Sequence, residues 1–192
     1  MLPIFVDSPM AGKALQFYAS RADELNLDVG PPARGISAFA TRRLTVVASP
    51  QQSKELVASR QPSIVIASSG MATGGRVIHH LEATLPSAKN TVLFVGFQAE
   101  GTRGRALIDG IKQVRLKGRD IPVAARIERL DSMSAHADAA EIMRWLSLFS
   151  RPPSMTYLVH GESVALEALR ARVQSELHWP VHVAGYQERV EL

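Results

Sequence analysis

The sequence predicts an α/β fold, a Rossmann-like parallel sheet followed by a looser α/β segment, and three observations carry that reading. Short strands such as Ile64–Ala67 are apolar throughout, as expected of strands buried on both faces. They alternate with amphipathic helical stretches, the order of a parallel sheet with right-handed crossovers. The strands lead into helices through glycine-rich turns or through a cap followed by proline.

Taken in order, residues 2–6 form an apolar strand, and Ser8 followed by Pro9 starts a helix expected to run to about residue 25. Gly30, Pro31 and Pro32 break the chain into a linker over 29–34. A strand over 44–48 is followed by Ser49 as cap, Pro50 at the first helical position and Gln52 completing a capping box, with the helix reaching residue 60. Strand Ile64–Ala67 precedes a helix over 75–85, and a strand over 92–95 precedes a helix over 103–111. Beyond Gly118 the pattern loosens into a strand over 123–130, a helix over 138–149, a strand over 155–159, a helix over 164–177 and a last strand from Val181. In the helix over 138–149, Ile142, Trp145, Leu146 and Phe149 fall on one stripe, which predicts its buried face. A domain change is placed near 118–120, giving domains over 1–118 and 119–192.

With 192 residues and 46% hydrophobic side chains, the chain buries a real core, which excludes collagen-like, coiled-coil and wholly disordered classes. Cysteine is absent, so there is no disulfide framework, no thiolate nucleophile and no Cys-ligated zinc, and any metal falls to His and carboxylates. The apolar runs are too short to cross a bilayer and the first residues lack a targeting pattern, so the reading is a soluble cytoplasmic protein without membrane contact. Net charge is +4, and it resides in residues 103–120, where six basic residues face two aspartates. Arginine outnumbers lysine 17 to 5, which suits forked contacts to phosphate; a compositional bias of the genome produces the same ratio.

In such sheets ligands sit beyond the carboxyl ends of the strands, which directs attention to residues 7–10, 68–76 and 96–105. The run Ser68, Ser69, Gly70, Met71, Ala72, Thr73, Gly74, Gly75, Arg76 is a glycine-rich strand-to-helix turn whose backbone N–H groups suit phosphate. It departs from a P-loop, because Arg76 stands for the lysine and Val77 for the metal-binding hydroxyl. The second turn, residues 96–105, contains Gln98 and places Arg103 and Arg105 at a helix start, where the dipole disfavours cations unless an anion is near. His79 and His80 are adjacent on one helix and cannot share a metal; one is expected packed and one wet. His178 and His182 flank Pro180 and read as a turn into a strand. His136 and His160 lie at strand ends, a frequent address of catalytic side chains.

Together the runs at 6–11, 67–81, 94–104, 134–138 and 159–162 resemble, in order, the motifs of the beta-CASP family of metallo-beta-lactamase-fold RNA-processing nucleases. The resemblance implies a beta-CASP domain over 1–118, then a partial metallo-beta-lactamase αββα half over 119–192. His136 matches motif B, implying a contact to the scissile phosphate and a general-acid role. His160 matches motif C, a zinc ligand. Asp138 and Glu162 are implied as their supports. Asp7, Ser8, Ser68, Ser69, Gly70, Gly74, Gly75, Arg76, Gln98, Arg103 and Arg105 are implied to contact single-stranded RNA. The complete family enzyme holds two zinc ions and hydrolyses phosphodiesters.

The family's His-x-His-x-Asp-His run is absent from these residues. One matching zinc ligand is too few for a site of about four donors, so the chain alone is expected to bind no tight zinc and to cleave nothing. The strands of a lactamase half lacking its partner sheet are expected to be covered by a separate N-terminal lactamase half, by a second copy of the chain or by rearranged strands. The rival readings are a non-catalytic RNA-binding or scaffold protein of the same family, and a mononucleotide-binding Rossmann domain.

Overall fold

A computed structural model describes residues 2–21, 24, 43–133 and 136–191. The chain divides into two compact units, Met1–Met133 and Ser134–Leu192.

In the first unit, β1 (Ile4–Asp7) lies between β2 (Leu44–Val46) and β3 (Ile64–Ala67), parallel to both. The crossovers carry α1 (Pro9–Ala19) and α2 (Pro50–Ala58). Both begin as the local chemistry predicts. Ser8 Oγ accepts from Ala11 N at 3.2 Å, and Ser49 and Gln52 complete the reciprocal capping box at 3.2 and 3.3 Å. Helix α1 ends at Ala19, its cap Ser20 donating to Gln16 O. Residue 25 and the expected linker at 29–34 lie outside the described residues.

Next come α3 (Val77–Thr84), β4 (Thr91–Val95) and α4 (Arg103–Ile108). An antiparallel hairpin of β5 (Gln113–Leu116) and β6 (Arg119–Pro122) follows, and then β7 (Arg126–Leu130), which runs parallel to β4. The core gathers Leu81, Leu85, Phe94, Leu107, Val114, Leu116 and Ile121.

The hairpin corrects the sequence reading of a strand that begins at residue 123: β6 ends at Pro122 and β7 begins at Arg126. Lys117 (φ 47°) and Gly118 (φ 77°) form a two-residue turn with both residues in the left-handed region, the geometry that matches the twist of paired strands. Alternation then buries Val114 and Leu116 against Ile121. Because β7 pairs with β4, the first compact unit continues past 118–120 to Met133. A second correction concerns the apolar strands. Ile64, Ile66, Leu93 and Val95 are about half exposed, so β3 and β4 each present one open face.

The second unit contains α5 (Ala139–Leu146), β8 (Thr156–Leu158), α6 (Ser163–Leu177) and β9 (Val181–Val183), with β8 and β9 parallel. Its core is Met143, Leu146, Val173, Trp179 and Val181. The expected stripe is rotated: Met143 is buried, whereas Trp145 is 60% and Phe149 49% exposed, because the helix turns its 142–143–146 face inward. Trp145 instead stacks edge-on against Phe149, which meets Trp179 in the same manner. Among the described residues no helix is long and apolar enough to cross a membrane.

Candidate nucleic-acid interface

The carboxyl end of β1 delivers Asp7 into a fully buried position, where a carboxylate persists only if both its oxygens are hydrogen-bonded. They are. Ser53 Oγ of α2 donates to Oδ2 at 2.6 Å, His80 Nε2 of α3 lies 2.7 Å from the same oxygen, and Arg76 Nη1 donates to Oδ1 at 2.7 Å. Arg76 also donates to Val47 O, just past β2, at 3.3 Å. One carboxylate thus ties the ends of β1 and β2 to the starts of α2 and α3. Burial pushes the Asp7 pKa up, but the hydrogen bonds from Ser53, His80 and Arg76 outweigh it and hold the group below its ordinary 3.8.

Next to this knot, Ser8 Oγ and Ser68 Oγ share a hydrogen bond of 2.7 Å, which fixes the entry of the glycine-rich turn. Within the turn, Ser69 N donates to Gly74 O at 3.3 Å, Ala72 N to Ser69 O and Val77 N to Ser68 O, both at 3.2 Å. Ser69 Oγ bonds Thr73 Oγ1 at 2.9 Å. Gly75 is obligatory: its φ is +77°, and a Cβ there would stand 2.8 Å from Ser68 O. A Cβ on Gly70 or Gly74 would meet nothing within 4 Å, so the backbone there is open to solvent or to a ligand.

The second turn is knitted to the first. Gln98 is 2% exposed, and its Nε2 donates to Gly70 O at 3.1 Å and to Phe97 O at 3.0 Å. Gly104 packs where any side chain would collide with Gln98, and its N–H donates to Met71 O at 3.0 Å. The arginines at the start of α4 find their negative partners inside the protein. Arg103 donates to the carbonyls of Ala72, Thr73 and Arg115, and Arg105 pairs with Asp109 at 2.9 Å.

The structure therefore brings Asp7, Ser8, Ser68, Ser69, Gly70, Gly74, Gly75, Arg76, Gln98 and Arg103 together at the carboxyl ends of the strands. Asp7, Ser8 and Gln98 are at most 2% exposed and brace the turns from behind. Two partners in this network, Ser53 and Val47, carried no sequence signal. His80 is the packed member of its pair and His79 the exposed one.

In the second unit, His136 is exposed and precedes α5; Ser134 and Ala135 of its motif lie outside the described residues. Asp138 caps α5, its Oδ1 accepting from Glu141 N at 2.8 Å. His160 is exposed, two residues past β8, with φ 65°. Glu162 takes the N-cap position of α6. Among the described residues no three His, Asp or Glu side chains gather around one point, and cysteine is absent. This donor set does not fit a zinc ion.

Residues 1–107 match the family profile of the Beta-Casp domain, and residues 120–184 match a Zn-dependent metallo-hydrolase RNA specificity domain. A protein named Ribonuclease TTHA0252 from Thermus thermophilus is 36% identical over 87% of this chain, and a Transcription termination factor FttA from Pyrococcus horikoshii is 33% identical over 67%. The FttA of Methanosarcina mazei is 26% identical over the whole chain. The aligned segments span 38%, 20% and 31% of the lengths of these three relatives.

Proposed function

This chain belongs to the Beta-Casp family, and from that membership we propose that it grips single-stranded RNA as part of a zinc-dependent ribonuclease. The observation that carries the reading is the Ser68–Arg76 turn. Its backbone is open at Gly70 and Gly74, and it lies beside an arginine that Asp7 has already oriented. Such a turn receives a phosphate without reorganisation, because the cost of ordering it is met on folding. In this reading Ser68, Ser69, Gly70, Gly74, Gly75 and Arg76 cradle the strand. Asp7, Ser8 and Gln98 hold the cradle's shape, and Arg103 and Arg105 contribute charge from the second turn.

His136 is assigned to the phosphate and His160 to a zinc site whose other donors lie outside the described set, with Asp138 and Glu162 supporting the two loops. In this reading the chain by itself holds no catalytic metal and does not cleave, because one motif-C histidine is too few donors for zinc. That same deficit favours a second reading, a non-catalytic RNA-binding or scaffold role; RNA affinity without hydrolysis on adding a lactamase half in trans selects it.

The direct experiment is anisotropy of a labelled single-stranded RNA titrated with the full chain at several salt concentrations. Binding is expected to weaken steeply with salt and to fall further in Arg76→Ala. Salt-independent binding, or an Arg76→Ala chain of unchanged affinity, overturns the reading.

A further inference from the structure

Beside the Asp7 knot, between the starts of α2 and α3, lies a cavity of about 240 Å³ lined by Pro50, Ser53, Lys54, Val57, Arg76 and His79. Apart from Ser53, its polar lining presents donors, on Lys54, Arg76 and His79. Ser53 spends its hydroxyl proton on Asp7, and Arg76 is held through Nη1 alone, which leaves the rest of its N–H fork uncommitted. Lys54 is exposed and has neither a hydrogen bond nor an ion pair among the described residues. The Lys117 ammonium, which has only donors, is bonded to His79 Nδ1, so the ring proton of a neutral His79 sits on Nε2. No carboxylate lines the cavity. The nearest one along α3, Glu82, is shared by Lys117 and Arg119, which draw its pKa down.

We propose that this cavity is a phosphate-binding site, formed by Lys54, Arg76 and His79, that extends the RNA path beyond the glycine-rich turn. The chemistry is specific to that ligand class: a guanidinium fixed by a buried carboxylate, an uncommitted ammonium and an imidazole N–H demand a compact anion with several acceptor oxygens. Arg76 is common to the turn and the cavity, so a strand gripped at the turn places its neighbouring phosphodiester here. That part of the proposal rests on the RNA reading above; occupancy by a free phosphate does not.

The test compares Lys54→Glu with Lys89→Glu in the full chain. Both substitutions reverse one exposed lysine, but Lys89 lies in the loop entering β4 at its amino end and does not line the cavity. Lys54→Glu is expected to weaken RNA binding uniformly across base sequences. It should also reduce the slope of log affinity against log salt by about 0.7, the value for one phosphate contact to a single strand, with Lys89→Glu unchanged. Equal slopes in the two variants overturn the extended path while leaving the glycine-turn reading in place. If the unmodified chain binds no RNA, the RNA reading fails, and inorganic phosphate followed by NMR decides the cavity alone. Saturable shifts of the His79 ring signals that vanish in Lys54→Glu support the site, and their absence overturns it.

Discussion

Asp7 is fully buried and accepts from Ser53 and Arg76 beside His80, so its value to the molecule is positional. Removing it strands Arg76 and leaves Ser53 and His80 without their shared acceptor, so Asp7→Ala is expected to destabilise the fold by about 3–5 kcal/mol in denaturant melts. The depressed pKa has a definite sign in pH. A carboxylate held below its unfolded value contributes stability above 3.8 that is lost as the pH falls through the folded value. Acid titration of stability should therefore show a limb below 3.8 that is absent from Asp7→Asn; identical acid profiles would refute the assignment. Gly75 supplies a second residue-scale test. Its positive φ and the 2.8 Å approach to Ser68 O make Gly75→Ala costly, whereas Gly70→Ala, facing open space, should leave melting unchanged. Asp7 and Arg76 stand out in the sequence as motif residues, but the motif alone does not tell a buried brace from an exposed contact.

Among the elements, those written in short-range chemistry were legible. Ser8 and Ser49 cap helices with hydroxyls that accept from Ala11 and Gln52. Ser49→Ala is expected to cost about 1 kcal/mol through loss of the capping box, measured as a fall in thermal midpoint. The β5–β6 hairpin was not read, although its cues were present: Val114 and Leu116 alternate with polar residues, and two residues separate the strands. Lys-Gly lacks the Asn-Gly or Asp-Gly signature that marks a two-residue hairpin turn in a sequence. The stripe of α5 failed differently. Two registers, one through Trp145 and one through Met143, satisfy the same helical period, and the choice between them belongs to Val173, Trp179 and Val181, which close the core.

For the molecule as a whole, the family and the α/β class followed from ordered motifs spread along most of the chain, and the fold carries them at its turns. Zinc titration of the purified chain, followed by calorimetry, is expected to show no tight stoichiometric site; a tight site lost in His160→Ala would overturn the proposed donor deficit. Trp145, Leu148, Val159 and Val164 are exposed by 60%, 77%, 64% and 84%, which supports the expectation that a second copy or a lactamase half covers the second unit. Sedimentation should then show association at micromolar concentration, or on adding the lactamase half; a compact monomer under both conditions would count against it. Caps, glycine turns, charge placement and the absence of cysteine are readable because each depends on neighbours a few residues apart. The pairing of Asp7 with Arg76, 69 positions away, the burial of Gln98 and the closure of β4 on β7 came only with folding. Burial and long-range hydrogen bonding depend on which segments meet, and no local pattern encodes that.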